Sequence, residues 1–231
     1  MYRALLAEAG LDGSYEAVLV RGGGAARAIE DFRARGYTGL NVTTPLKEEA
    51  FLCAQTHDAA ASASGAVNTL LLGARIAGYN TDGIGALGAL REAGLTELAL
   101  ARVLVLGTGP TARAVIFALV SVGALVSVWS RTRERAVQVA RRFGIEPWAA
   151  ELRLNAVVAA LPPNARFGAG PLVDVLRLAP LVVDANYRPR ATLAAILARS
   201  DIRDGTSMLQ AGARASFALF RGAGSPGAGS A

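Results

Sequence analysis

The stretch 103–114, Val-Leu-Val-Leu-Gly107-Thr108-Gly109-Pro110-Thr111-Ala112-Arg-Ala, constrains the fold more than any other part of the chain. Residues 102–106 are apolar after Arg102 and without alternation, the pattern of a strand buried on both faces of a parallel sheet. Residues 112–122 read as a helix, and a G-x-G-x-x-A loop joins the two. The first glycine permits a tight turn, the second lets the backbone approach a pyrophosphate, and Ala112 allows close helix–strand packing. The helix N-terminus then attracts phosphate charge. Glycine turns between strand and helix are common, so the surrounding βαβ context gives this loop its meaning.

That context continues downstream. Strands are expected at 125–129, 156–160 and 181–185, with helices at 133–143 and 208–220, the alternation of a doubly wound sheet. At the end of the 125–129 strand, where an NAD site would place an acid on the ribose, the chain reads Ser130-Arg131-Thr132-Arg133-Glu134-Arg135. Hydroxyls and guanidinium groups there suit a 2′-phosphate, which arginine binds bidentately, so the expected cofactor is NADP. The competing reading is a solvated helix start bearing ordinary surface arginines.

The first third of the chain is expected to be α/β as well. It reads as a helix over 2–9, a strand over 15–20, a helix over 25–35, a strand over 39–42, a helix opened by Thr44-Pro45, and a hairpin of strands 67–72 and 75–78 before a helix at 83–92. Polar clusters close its apolar segments: Asn41-Val-Thr43-Thr-Pro-Leu-Lys47, Gly65-Ala-Val-Asn68-Thr69 and Gly78-Tyr-Asn80-Thr81-Asp82-Gly83. Each alone reads equally as a cap or a turn. Together they offer amides, hydroxyls, one ammonium and one carboxylate to a polyhydroxylated ligand.

Composition narrows the classes. At 231 residues, 52% hydrophobic and 18% charged, the chain carries the apolar material for one large or two small folded domains and lacks the signature of disorder. One cysteine, Cys53, and one histidine, His57, exclude a thiolate cluster or a multi-histidine metal centre, and favour a reducing, cytoplasmic setting. The net charge of +6 suits an anionic partner, but the arginines are scattered and aromatics are only 6%, which argues against nucleic acid. No apolar run reaches the roughly 20 residues of a membrane span.

The succession NVTTPLK, GAVNT, GYNTDG, GTGPTARA, SRT-x-x-R and Asp184-Ala-Asn-Tyr187-Arg-Pro189-x-x-Thr192 resembles the shikimate dehydrogenase family in order and spacing over almost the whole chain. The resemblance implies NADPH-dependent reduction of 3-dehydroshikimate to shikimate, in aromatic amino-acid biosynthesis, with the substrate held between an α/β domain (1–83 and 205–222) and a Rossmann domain (84–204), and 223–231 as a flexible tail. It makes Lys47 and Asp82 the catalytic pair and Asn41, Thr43, Lys47, Asn68 and Asp82 the substrate residues. It assigns Gly107, Thr108, Gly109, Pro110, Thr111, Ala112, Ser130, Arg131, Thr132 and Arg135 to the cofactor, with Tyr187 near the nicotinamide. A monomer or homodimer is expected, with no nucleic-acid or membrane partner.

Three departures from the family pattern stand out. The sequence has no Ser-x-Ser-Pro strand ahead of the first helix, so a sheet strand and the substrate-carboxylate anchor are expected to be lacking. Gly212 stands where the family presents a glutamine, with Gln210 two residues early, about 200° away around a helix. Ala159-Ala160-Leu161-Pro162 replaces an Asn-Ala-Thr-Pro stretch. Beside the dehydrogenase, these leave open a quinate/shikimate-type enzyme of altered specificity, or a family member that binds NADP(H) without efficient turnover.

Overall fold

A computed structural model describes residues 1–150, 153–163, 165–166, 170–187 and 193–223. The chain forms two compact units, Met1–Thr81 with the segment from Gly212 onward, and Asp82–Ala211.

The first unit contains α1 (Tyr2–Glu8), α2 (Ala25–Ala34), β1 (Gly39–Asn41), α3 (Lys47–Cys53), β2 (Thr56–His57), α4 (Ala59–Ser64), β3 (Thr69–Leu72) and β4 (Ile76–Tyr79). Its sheet runs β1-β3-β4-β2, antiparallel except where β2 joins β4. Ile29 and Phe32 of α2 pack with Val67, Leu70, Leu72 and Ile76 to form its core. Helix starts are satisfied by carboxylates from different distances along the chain. Asp58 accepts from Ala61 N at 2.6 Å as the cap of α4, whereas Glu49 of α3 reaches Gly23 N at 2.8 Å and Ala25 N at 3.2 Å, meeting donors that α2 leaves unpaired.

Two expectations for this unit are corrected. The helix expected from Thr44 begins at Lys47, because residues 43–46 close a turn first, with Leu46 N bonded to Thr43 O at 2.9 Å; the Thr44–Pro45 peptide is cis. The strand expected at 15–20 is irregular backbone. Its Val18 and Val20 line a cleft of about 150 Å³ with Ile29, Phe32, Leu40 and Val42, and Leu19 is 91% exposed.

The second unit contains α5 (Asp82–Glu92), β5 (Arg102–Leu106), α6 (Pro110–Ser121), β6 (Leu125–Trp129), α7 (Arg133–Phe143), β7 (Glu146–Pro147), β8 (Ala156–Ala159), α8 (Pro171–Leu178), β9 (Val182–Asp184), α9 (Leu193–Leu197) and the start of α10 (Thr206–Ala223), within which the unit boundary falls. All pairs in its sheet, ordered β7-β6-β5-β8-β9, are parallel. Alternate residues face opposite ways. Val103, Val105, Val128 and Val158 pack with α5, α6 and α7 side chains, while Leu104, Leu106, Val157 and Val182 pack with those of α8 and α9. Both faces are thus covered by helices, which is why these strands read as unbroken apolar runs.

Candidate active site

Strand order reverses at β5, whose neighbours are β6 on one side and β8 on the other. In an open parallel sheet the crevice at such a switch point, beyond the strand C-termini, is where ligands bind. The glycine loop starts there. Gly107 has φ +117°, and a Cβ on it would lie 2.5 Å from the Ala160 carbonyl oxygen, so neither the backbone nor the space admits another residue. Gly109, the N-cap of α6, has open space around it, and Ala112 is wholly buried. Arg113 latches the loop through Nη1 to Thr108 O at 3.1 Å. Glycine conformation, an open N-cap and the following helix N-terminus fit a pyrophosphate.

Leu106 aligns with Trp129, so β6 ends level with the glycine loop. Ser130 is half-buried and Arg131, Thr132, Arg133 and Arg135 are exposed, with no side-chain ion pair on Arg131 or Arg135 among the described residues. Their guanidinium groups fit a phosphate at that strand end. On the other side, Ala159 aligns with Asp184. Asp184, 1% exposed, accepts from Asn186 N and Asn186 Nδ2 at 3.0 Å and from Leu193 N at 3.0 Å. Asn186 Nδ2 also reaches Leu161 O at 2.9 Å. These bonds order the start of the segment carrying Tyr187, whose ring is half exposed. Arg188, Pro189 and Thr192 of the sequence motif, and the tail 224–231, lie outside the described residues.

The first unit gathers its polar residues at one end of its sheet. Asn41 aligns with Thr69, and Thr69 with Tyr79, so the end of β1, the start of β3 and the end of β4 form one row. Asn68 and Thr81 extend it. Asn68 Oδ1 accepts from Thr81 N at 3.0 Å and Thr69 Oγ1 at 3.0 Å, and its Nδ2 donates to Thr81 Oγ1 at 3.1 Å. Asn80, 1% exposed, donates to Ala66 O at 2.9 Å and Ser64 Oγ at 3.2 Å. Lys47 is 8% exposed, and its carbonyl accepts from Val67 N at 2.9 Å, tying α3 to the row. Thr43 is exposed.

Asn41 is held by Thr69 and by two residues that the sequence did not single out, Tyr15 and Ser216. Its Nδ2 donates to Ser216 Oγ at 2.6 Å and Thr69 Oγ1 at 3.4 Å, and its Oδ1 accepts from Tyr15 at 3.2 Å. Tyr15 stacks on Tyr2 with ring centres 4.1 Å apart. Burial, and then the neighbouring Tyr2, push the Tyr15 phenol up to about 12. Burial also raises that of Tyr2, against hydrogen bonds to Ser216 and Asn41. Nothing in the local sequence around Ser216 signals this role, since it stands on a helix 175 residues from Asn41.

Asp82 opens α5 in the second unit. Its Oδ2 accepts from Thr111 Oγ1 at 3.0 Å. Gln210 is exposed and Gly212 half-buried within the unbroken helix α10. No group of three or more His, Cys, Asp or Glu suited to a metal ion exists among the described residues. No helix among them is long and apolar enough to cross a membrane.

A doubly wound parallel sheet with a glycine loop at its switch point, joined in one chain to a smaller mixed-sheet unit, defines an α/β protein with a Rossmann-type unit. The model of the shikimate dehydrogenase substrate-binding domain matches residues 1–70. The chain is 39% identical over 226 residues to the NADP(+) shikimate dehydrogenase of Acidiphilium cryptum, covering 92% of this chain and 81% of that one. It is 40% identical over 144 residues to the corresponding protein of Aquifex aeolicus; that match spans 62% of this chain and about half, 53%, of the relative. The crystal structure of Thermus thermophilus shikimate 5-dehydrogenase, in complex with NADP(H) and shikimate, superposes with a TM-score of 0.81 at 32% identity, over 96% of this chain and 87% of that one. The chain belongs to the shikimate dehydrogenase family.

Proposed function

We propose that this chain catalyses the NADPH-dependent reduction of 3-dehydroshikimate to shikimate, in the cytoplasm. The observation that carries this reading is the glycine loop at the switch point followed, one strand later, by Ser130, Arg131, Thr132 and Arg135 in place of an acid. Its relatives' names supply the substrate, as does the neighbour crystallised with NADP(H) and shikimate. In this reading the first unit serves the substrate, and the second serves the cofactor and supplies Asp82.

The loop residues Gly107 to Ala112 hold the pyrophosphate, and Arg131 and Arg135 the 2′-phosphate. When bound, the nicotinamide supplies the hydride. Asn41, Thr43 and Asn68 hold substrate hydroxyls through amide and hydroxyl groups. Lys47 brings a cation to the C3 oxygen, where negative charge grows as the carbonyl is reduced. Asp82 is the proton-transfer group at the same oxygen, giving the proton in reduction and taking it in the reverse direction.

The test measures NADPH formation from NADP and shikimate, with quinate as a second substrate. Saturable shikimate turnover is expected. Lys47→Ala and Asp82→Asn are expected to lower kcat by about 10²- to 10⁴-fold, the range for losing a group that acts in the transition state. Their NADPH dissociation constants, read by fluorescence titration, should stay within about twofold of wild type. Turnover of quinate alone would move the activity to the altered-specificity reading that the lacking carboxylate anchor leaves open. NADPH binding with neither substrate turned over would overturn the proposal.

A further inference from the structure

The hydrogen bond from Thr111 Oγ1 to Asp82 Oδ2, 3.0 Å long, joins two residues that sequence reasoning puts in separate jobs, one in the dinucleotide loop and one at the reacting carbonyl. Both belong to the second unit, and both are partly buried. Their meeting is built into the packing of α5 on α6. Gly83, next to Asp82, lies so close to α6 that a Cβ would fall 2.6 Å from the Ala114 carbonyl oxygen and 2.7 Å from the Ala118 methyl. The small residues Gly83, Ala114 and Ala118 thus set the first turn of α5 against the first three turns of α6, with the threonine hydroxyl facing the carboxylate.

A threonine hydroxyl has one proton to donate, and an ionised carboxylate only accepts. The Thr111 proton therefore goes to Asp82. Phosphate oxygens are acceptors too, so the same hydroxyl, so engaged, has no proton left to offer a pyrophosphate; Thr111 can serve that group only through its backbone N–H at the helix start.

We propose that Thr111 is a positioning residue for Asp82: its hydroxyl, bonded to Oδ2, fixes the orientation in which the carboxylate exchanges a proton with the substrate oxygen. This rests on the proposed role of Asp82 and moves the Thr111 side chain out of the cofactor set. The helix that receives the dinucleotide thereby also aims the carboxylate.

The test compares Thr111→Val, which keeps shape and loses the donor, with Thr111→Ser, which restores the donor. Thr111→Val is expected to lower kcat for shikimate oxidation about tenfold, the scale of losing a hydrogen bond to a charged group. Its NADPH dissociation constant should stay within twofold of wild type, and Thr111→Ser should recover kcat to within about threefold. In an Asp82→Asn background, Thr111→Val should add almost nothing, because the two residues act through one group. Weakened NADPH binding with unchanged kcat would return the hydroxyl to the dinucleotide and overturn the proposal. So would a tenfold loss that persists undiminished on Asp82→Asn. A wild-type chain inactive on both shikimate and quinate would instead refute the proposed function, and with it the role of Asp82. An active wild type with either contrary result for Thr111→Val refutes this inference alone.

Discussion

The two units build their candidate sites by opposite means. In the second unit the loop at the switch point is shaped by what its residues lack: Gly107 sits at φ +117° with no room for a Cβ, and Ala112 is wholly buried at the helix start. In the first unit the row at the sheet end is shaped by what its residues carry, a chain of side-chain hydrogen bonds from Tyr15 through Asn41, Thr69 and Asn68 to Thr81. A site made of backbone conformation is set by local residues and tolerates few substitutions. A site made of side-chain bonds depends on partners from anywhere in the fold, and each bond is worth only about 0.5–1.5 kcal/mol.

The largest effect that would break this contrast comes from the two glycines of the loop, which are expected to behave differently. Gly107→Ala places a Cβ against the Ala160 carbonyl and strains a left-handed backbone. The expected cost is about 2–4 kcal/mol, or a melting temperature lower by about 5–15 °C, together with more than tenfold weaker NADPH binding. Gly109→Ala meets nothing within 4 Å. It should leave the melting temperature within about 2 °C of wild type and still weaken NADPH severalfold, because in the proposed reading its methyl would stand where the pyrophosphate approaches. Thermal melts of both variants, paired with NADPH titration, decide the matter. Equal destabilisation by the two would show that the loop is not held by the close approach at Gly107.

Next in size is Arg131→Ala. The side chain is exposed and unpaired among the described residues, so stability should not change. Loss of a charge-assisted bond to the 2′-phosphate should weaken NADPH by about tenfold to a hundredfold while leaving NADH nearly unaffected. Equal losses for both cofactors would place Arg131 on a group they share.

The same contrast explains what could be read from the sequence. β5, β6 and α7 fall at the residues expected, since an apolar run closed by a glycine loop, or by Thr132 ahead of an amphipathic helix, is a local signal. α4 and α8 form where no helix is expected, although each carries such a signal: Asp58 before an alanine-rich run ended by Gly65, and Pro171 just after Gly170. The strand expected at 15–20 had the right alternation, but pairing depends on a neighbouring edge and not on the segment itself. Asn41, Lys47, Asn68 and Asp82 were legible only as motif members. Tyr15, Ser216 and the bond from Thr111 were not, because those contacts join residues 26, 175 and 29 positions apart.

The smallest expected effect probes the side-chain network directly, at Tyr15. Its phenol titrates near 12, above the ordinary 10.0, so the folded state holds this proton more tightly than the unfolded chain. The unfolded state then loses the proton first as pH rises, and stability falls between about pH 10 and 12, the full contribution being present below 10. A shift of that size corresponds to about 2.7 kcal/mol for a fully buried group; for a half-buried ring about half of that is expected. Tyr15→Phe removes the bond to Asn41 and should cost about 0.5–1.5 kcal/mol at pH 8. It also removes the ionisation, so the gap between wild type and variant should narrow or reverse by pH 11.5. Urea midpoints at the two pH values measure this. The same variant frees Asn41 on one side, so KM for shikimate should rise a fewfold with NADPH affinity unchanged. A stability gap that stays constant across that pH range would mean that burial does not hold the Tyr15 proton, whereas a variant as stable as wild type at pH 8 would mean that the bond to Asn41 carries nothing, and the contrast between the two sites would lose its clearest side-chain member.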